Sequence, residues 1–454
     1  MEAGLLSMIN LDAAGIDLGS ETHWVAVPSD RDEKPIRSFG CFTADLHEMA
    51  GWLKECGIKS IAMESTGVYW IPVFQVLESS GFEVKLVNAR HIKNVPGRKT
   101  DVLDCQWLQR LHSYGLLSGS FRPEDKICVL RSYLRHRDTL VKHASTHIHH
   151  MQKALIQMNL HLHKVLSDIT GVTGMRMIRA IVDGERNPSV LASMRGRGVK
   201  KTEGEIMKAL QGDYRKEHVF ALRQAIELYD VYHQKIEACD IEIEKILKQF
   251  DSRVSADSPA QTKVRRKQKQ RKNQSHIDLR GYLYRITGVD FTLIPGLEAL
   301  SVQTIISEVG LNPSAFPSEK HFTSWLGLCP NNRITGGKIM KSSTRKVVNR
   351  ATNAFRLAAQ ALANSHSALG AYYRRMRSRL GPSKANTATA HKLARMFYRL
   401  WKSGGTYVEP GLDYYEKKYK ERVITNMKKK AKALGFNIVI EPLEQNAIGQ
   451  LCSV

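Results

Sequence analysis

The sequence predicts an α/β domain followed by a mostly α remainder, and three observations carry that reading. Up to about residue 125, short apolar runs bounded by Gly, Ser and Asp alternate with segments of helical period, the pattern of a sheet with helices. Beyond it, apolar residues recur in steps of three and four over long stretches. Charge divides at the same place: residues 1–125 hold 12 basic and 17 acidic side chains, 126–454 hold 56 and 27, and the whole chain carries +24. A chain of 454 residues is long enough for two or three domains with real cores. An acidic first part and a very basic remainder point to a polyanionic partner, nucleic acid above all. Seven scattered cysteines with no Cys-x-x-Cys pair argue for reduced thiols, a cytoplasmic setting and no zinc site. No apolar run approaches the roughly 18 residues of a membrane span, and no signal peptide is evident.

The expected domains are 1–125, 126–275, 276–405 and a basic tail, 406–454. In the first, Ala13 to Val27 reads as two strands around the Gly19-Ser20 turn, and Ile36 to Phe42 can supply a third. Leu46 to Cys56 fits a helix, Ile58 to Met63 a strand ending at Glu64, and Trp70, Phe74 and Leu77 mark a second helix. Gly81 to Val87 is another strand. Thr100 is a plausible N-cap for a third helix carrying Val102, Leu103, Trp107 and Leu108. Asp101 and Asp104 stand i and i+3 on it, so both carboxylates face the same way. Asp17 interrupts an apolar strand, and Glu64 closes another at its C-terminal end, where open sheets collect ligands. An isolated Asp in an apolar strand is costly unless paired or bound to a metal. Four carboxylates from three separated elements favour hard cations with oxygen ligands, Mg²⁺ or Mn²⁺. Two such ions can clamp the attacking and leaving oxygens in phosphodiester chemistry.

Gly15-Ile16-Asp17, Met63-Glu64-Ser65-Thr66-Gly67 and Lys99-Thr100-Asp101-x-x-Asp104 together resemble the DEDD transposases of the insertion-sequence 110 family, which includes Piv-type DNA invertases and bridge-RNA-guided recombinases. The resemblance implies a RuvC-like N-terminal domain of ribonuclease H fold, with Asp17, Glu64, Asp101 and Asp104 as its metal-binding tetrad. Arg98 and Lys99, just ahead of the third helix, are candidate nucleic-acid contacts.

The middle reads as helical. Leu130 to Met158 carries Arg131, Arg135, Arg137, Lys142 and Lys153 with His143, His147, His149 and His150, a basic, polyanion-facing helix rather than a metal site. Between 222 and 250, Leu222, Ala225, Tyr229, Tyr232, Ile236, Cys239, Ile243, Ile246 and Phe250 form an a/d seam. It can be a dimerising coiled coil, as the resemblance suggests, or a hairpin packed on its own chain. Residues 263–272 hold seven basic side chains in ten and read as a flexible, phosphate-contacting linker. An internal repeat is also visible: Ile169-Thr170-Gly171 precedes Asn187-Pro188-Ser189 at the same offset as Ile294-Pro295-Gly296 precedes Asn312-Pro313-Ser314. Its second copy resembles a helix-hairpin-helix.

In the C-terminal part, Ser301–Val309, Phe322–Leu328 and Asn349–Leu362 read as helices. From the end of the second, Gly327-Leu328-Cys329-Pro330 and on to Lys338 reads as a loop in which Gly336 and Gly337 permit close approach of backbone to a ligand. Arg333, Lys338, Lys341, Arg345 and Lys346 around it would attract phosphate. The loop resembles the second conserved segment of the same family, in its transposase domain, where a serine before glycine is the nucleophile that links covalently to DNA. Thr335 stands at that position here. Its methyl crowds the attack, and Ser342 and Ser343 are the alternatives. Tyr372, Tyr373, Arg374, Arg375, Arg377 and Arg379 make a surface suited to stacking bases and gripping phosphates. The resemblance implies a DNA transposase or site-specific recombinase acting on element ends and target DNA. It further implies a bridge RNA and a homo-oligomer, dimer or tetramer, whose protomers complete each other's sites. The rivals are a metal-dependent nuclease or Holliday-junction resolvase that uses water, and a non-catalytic nucleic-acid binder, for which four acids would serve no purpose.

Overall fold

The computed structural model describes residues 8–65, 67–88, 100–254, 277–345, 347, 349–411, 414–437 and 439. Arg98, Lys99, Lys346, the basic run 263–272 and the end of the tail lie outside the described residues. The chain divides into two compact units, Met1–Arg122 and Pro123–Val454.

The first unit runs β1 (Ala13–Leu18), β2 (Thr22–Ala26), β3 (Ile36–Gly40), α1 (Thr43–Glu55), β4 (Ser60–Glu64), α2 (Trp70–Ser79), β5 (Glu83–Val87) and α3 (Asp101–Ser113), the order read from the sequence. Its sheet has the order β3-β2-β1-β4-β5. β1 pairs antiparallel with β2 and β2 with β3, while β4 and then β5 run parallel to β1. This mixed sheet is consistent with a RuvC-like fold. Side chains alternate across it. Ala14, Ile16 and Leu18 of β1 join Ile61 and Met63 of β4 in a core with Met49 and Leu53 of α1 and Val73 and Leu77 of α2. On the other face Ala62 and Val87 pack with Leu108 of α3.

At the end of α3, His112 is 1 % exposed and its Nε2 meets the Ser60 hydroxyl of β4. Burial, and then the charge of Lys85, push the imidazole pKa down to about 4.

The second unit begins with two helices of 33 residues each, α4 (Asp125–Gln157) and, after α5 (Leu162–Val165), α6 (Val172–Val182), α7 (Pro188–Ser193) and α8 (Glu203–Ala209), α9 (Lys216–Lys248). Arg137 of α4 holds Asp240 of α9 through two hydrogen bonds of 2.6 and 3.0 Å, while His143 and His147 lie against the Tyr232 ring. The numbers run in opposite senses, so the pair is an antiparallel hairpin. Leu222, Ala225, Tyr229, Ile236, Cys239 and Ile243 are buried in this single chain. Of the two arrangements open for the 222–250 seam, the chain adopts the intramolecular one, because α4 already covers the apolar stripe. A charge at Ile236 or Ile243 would therefore strike the chain's own core.

The internal repeat survives in the backbone. Asn187 caps α7 and Asn312 caps a 3-10 turn, Pro313–Ala315, and in each the Asn Oδ1 accepts from the Ser amide two residues on, at 3.0 Å. The entrances differ: Gly171 is itself the N-cap of α6 at φ −69°, whereas Gly296 sits at φ +90°, ahead of the helix Ala299–Val309.

The remaining elements are α10 (Leu279–Thr287), α11 (Ala299–Val309), α12 (Glu319–Trp325), a two-stranded hairpin of β6 (Pro330–Thr335) and β7 (Lys338–Thr344), α13 (Arg350–Ala361), α14 (Ala368–Leu380), α15 (Pro382–Ser403) and α16 (Tyr414–Ala433). Their core is aromatic: Phe291, Phe322, Phe355 and Phe397 are fully buried, with Phe291 and Phe397 stacked at 4.0 Å between centroids. Among the described residues no helix is long and apolar enough to cross a membrane.

A histidine held neutral in the fold but free to protonate when unfolded supports stability fully above pH ~6.5 and loses that support as pH falls toward ~4. Thermal unfolding of the full chain, followed by tryptophan fluorescence, is expected to fall by roughly 5 °C over that window on account of His112. A His112→Gln variant should lack that part of the pH dependence.

Candidate active site

Three pieces of backbone place the four carboxylates. Thr100 sits at φ −139°, ψ 150° and its hydroxyl accepts from the Leu103 amide at 3.3 Å, so α3 starts where the sequence places it. Asp101 and Asp104 then fall in its first turn, where the helix dipole favours negative charge. Asp17 is the fifth residue of β1. The parallel register pairs Gly15 with Ala62 and Ile16 with Met63, so the next step brings Asp17 level with Glu64. Gly15, Asp17, Ala62 and Glu64 all belong to the sheet face that α3 covers.

The close approach of α3 depends on Gly15. A Cβ there would stand 2.3 Å from the Gln109 nitrogen and 2.5 Å from the Cys105 carbonyl oxygen, both backbone atoms of α3. Any other side chain would have to push the helix off the strand. In the sequence Gly15 is a lone glycine inside an apolar strand, a signal that often marks close backbone approach, and its role appears only with α3 in place.

The result is an acidic cluster whose members act on one another. Burial, and then the charges of Asp104, Asp101 and Glu64, raise the Asp17 pKa to about 6. The neighbouring Cys105 thiol is pushed up to about 12 by burial and by Asp17, and it donates to the Val102 carbonyl, so it is an inert packing group. The donor set is all carboxylate oxygen, which suits a hard divalent cation. Among the described residues no three His, Cys, Asp or Glu side chains are drawn together tightly enough to hold an ion as they stand.

The second candidate site differs from its expectation. Pro330 to Thr344 is a β-hairpin instead of a loop: the two-residue turn Gly336-Gly337, at φ +54° and +74°, joins strands that pair Thr335 with Lys338 and Arg333 with Lys341. Both turn residues are in the left-handed region, the geometry that matches strand twist in a tight hairpin and that glycine adopts without strain. Thr335 is exposed at the tip, and Arg333, two residues back, shares its face. Ser342 and Ser343 pair with Asn332 and Asn331, about 10 Å further down the hairpin. Arg345 is committed to structure, because its guanidinium donates to the Ser324 carbonyl at the end of α12. The preceding Gly-Leu-x-Pro segment is structural as well: Gly327, at φ +64°, ends α12, and a Cβ on it would stand 2.4 Å from Val347 Cγ2.

Two family models match the chain. One, described as a transposase of the IS110 DEDD type, covers residues 14–160, and the other, described as the transposase IS116/IS110/IS902 family, covers residues 291–374. The first takes in Asp17, Glu64, Asp101 and Asp104, and the second takes in Thr335. No curated protein matches the chain.

Gly15→Ala removes none of the carboxylates but displaces the helix that carries two of them. Cleavage of DNA is expected to drop by about 100-fold or more, with Mn²⁺ affinity falling alongside, while helix content by circular dichroism is retained. Undiminished cleavage and metal affinity would show that α3 need not lie so close to β1.

Proposed function

Because the chain belongs to the IS116/IS110/IS902 family of transposases and is a DNA transposase-recombinase, we propose that it cuts and rejoins DNA strands at an insertion element with Asp17, Glu64, Asp101 and Asp104 as metal-holding carboxylates and Thr335 as the nucleophile. The first half is carried by the register that sets Asp17 level with Glu64 on the face covered by the helix that begins with Asp101 and Asp104; burial, and then the charges of those three acids, raise the Asp17 pKa to about 6. A cation among these carboxylates would relieve their mutual repulsion, and the oxygen donors suit Mg²⁺ or Mn²⁺. Such ions, once bound, polarise the phosphoryl oxygens and stabilise charge on the attacking and leaving oxygens.

The other half rests on the hairpin. Thr335 presents its hydroxyl at an exposed tip, with Arg333 on its face and Lys338 opposite it to neutralise a phosphate. As Oγ of Thr335 bonds to phosphorus, its proton leaves and the bond from phosphorus to one sugar oxygen breaks, that oxygen taking up a proton. Rejoining reverses the step and returns the hydroxyl. The bare Gly336-Gly337 turn keeps side-chain bulk away from the incoming backbone. Family resemblance further supports a guiding RNA and a homo-oligomer whose basic surfaces, Arg333, Lys338 and Lys341 among them, hold nucleic acid.

The test is adduct trapping on element-end DNA under denaturing conditions. Thr335→Val is expected to abolish the covalent protein–DNA species while leaving DNA binding intact, and Thr335→Ser to retain or raise activity. Asp101→Asn is expected to reduce cleavage to background. An adduct that persists in Thr335→Val and vanishes in Ser342→Ala would move the nucleophile to Ser342. Cleavage with no adduct in any variant would favour a metal-dependent nuclease or junction resolvase that uses water.

A further inference from the structure

The helix α16 lies beyond the second family match, which ends at residue 374, and the reaction above makes no use of it. Between 414 and 433 the sequence places eight Lys or Arg against two Glu. Of the side chains described on this helix, only Val423 and Ala431 are half-covered. Lys428, Lys429, Lys430 and Lys432 are all exposed, and none forms an ion pair with a described residue. This contrasts with the long helices of the hairpin, where Arg137 of α4 and Lys245 of α9 each have a carboxylate partner.

The helix rests against α14. There the charge of Arg422 reaches Tyr372, and the Lys392 ammonium lies 4.5 Å from the centre of the same ring. Beyond this anchor the same helix goes on to Arg375, Arg377 and Arg379. A helix with eight cations among twenty residues repels itself and is marginal without a partner. Its charge identifies the chemistry of that partner. A second copy of the same helix would add positive charge to positive charge across a two-fold axis. A duplex backbone instead supplies one phosphate about every 3.4 Å on each strand, over a helix about 30 Å long. The consecutive lysines at 428, 429 and 430 spread around the helix by about 100° each, an arrangement for phosphates on several sides instead of bases on one.

We propose that α16, with the adjoining end of α14, is a second DNA-binding surface that grips the phosphodiester backbone without reading sequence. It rests on the family's DNA-binding nature and is independent of the carboxylate and Thr335 assignments.

The experiment compares the full chain with a Lys428→Gln, Lys429→Gln, Lys430→Gln, Lys432→Gln variant, by fluorescence anisotropy on a duplex of arbitrary sequence between about 50 and 200 mM salt. Each lost phosphate contact should make the slope of log affinity against log salt shallower by about 0.9. The variant should therefore lose roughly two to four units of slope, with about tenfold or greater weakening at the lowest salt. Arginine at the same four positions should restore the slope. An unchanged slope and affinity on duplex DNA would overturn the proposal. So would a loss seen only with structured RNA, or a loss accompanied by a smaller oligomer that accounts for it.

Discussion

The contact between Gly15 and the backbone of α3 is the constraint on which the acidic site depends. Helix and strand can meet backbone to backbone only where one of them lacks a Cβ, and Gly15 is that place. Two residues further along the same face stands Asp17, and four residues back along the helix from Cys105 stands Asp101. Closeness at the glycine is thus converted into closeness of carboxylates. Thr100 fixes where the helix begins, and so which residues occupy its first turn. The parallel register of β1 and β4 does the same for Glu64. No single element builds the cluster: a cap, a register and a missing methyl group each set one coordinate of it. The energetic signature is a carboxyl group at Asp17 that resists ionisation when no cation is present.

The basic unit solves a different problem. Its long hairpin must remain stiff, and the buried Arg137–Asp240 pair fixes the register between two helices whose apolar stripes alone would tolerate a slip. At its base, Arg135 holds Glu308 through both carboxylate oxygens and Arg350 reaches Asp138, so polar pairs join the hairpin to the C-terminal helices. Glu319 similarly gathers Arg395 and Arg399, which holds its pKa down at about 2 and ties α12 to α15. Many of the arginines in this unit are therefore structural. The surplus that gives the chain its net charge is carried by groups such as Arg333, Lys338 and Lys428, Lys429, Lys430 and Lys432 of α16, which face solvent.

Much of this was legible in the residues. The succession of strands and helices in the first unit, the Thr100 cap and the helical period of the 222–250 seam all follow from short-range patterns, and the structure bears them out as elements. The hidden parts depend on what lies opposite. Whether the seam pairs with another chain or with its own is not written in the seam; it is decided by α4, some ninety residues away. Gly327 to Lys338 read as a loop because Pro330 and the glycine pair suggest breaks, yet the same Gly-Gly pair is a strong two-residue hairpin turn when strands flank it. Arg345 looked like a free cation, and only the fold shows the Ser324 carbonyl that occupies it. The role of Gly15 needed the helix that packs on it.

The most direct measurement of the central claim is a crystal structure of the full chain grown with Mn²⁺ and collected for anomalous scattering. The account predicts an anomalous peak on the α3 face of the sheet, at the C-terminal ends of β1 and β4, with oxygen ligands from Asp17, Glu64, Asp101 and Asp104. A manganese ion bound elsewhere, with that face empty and Glu64 turned away from Asp17, would contradict it.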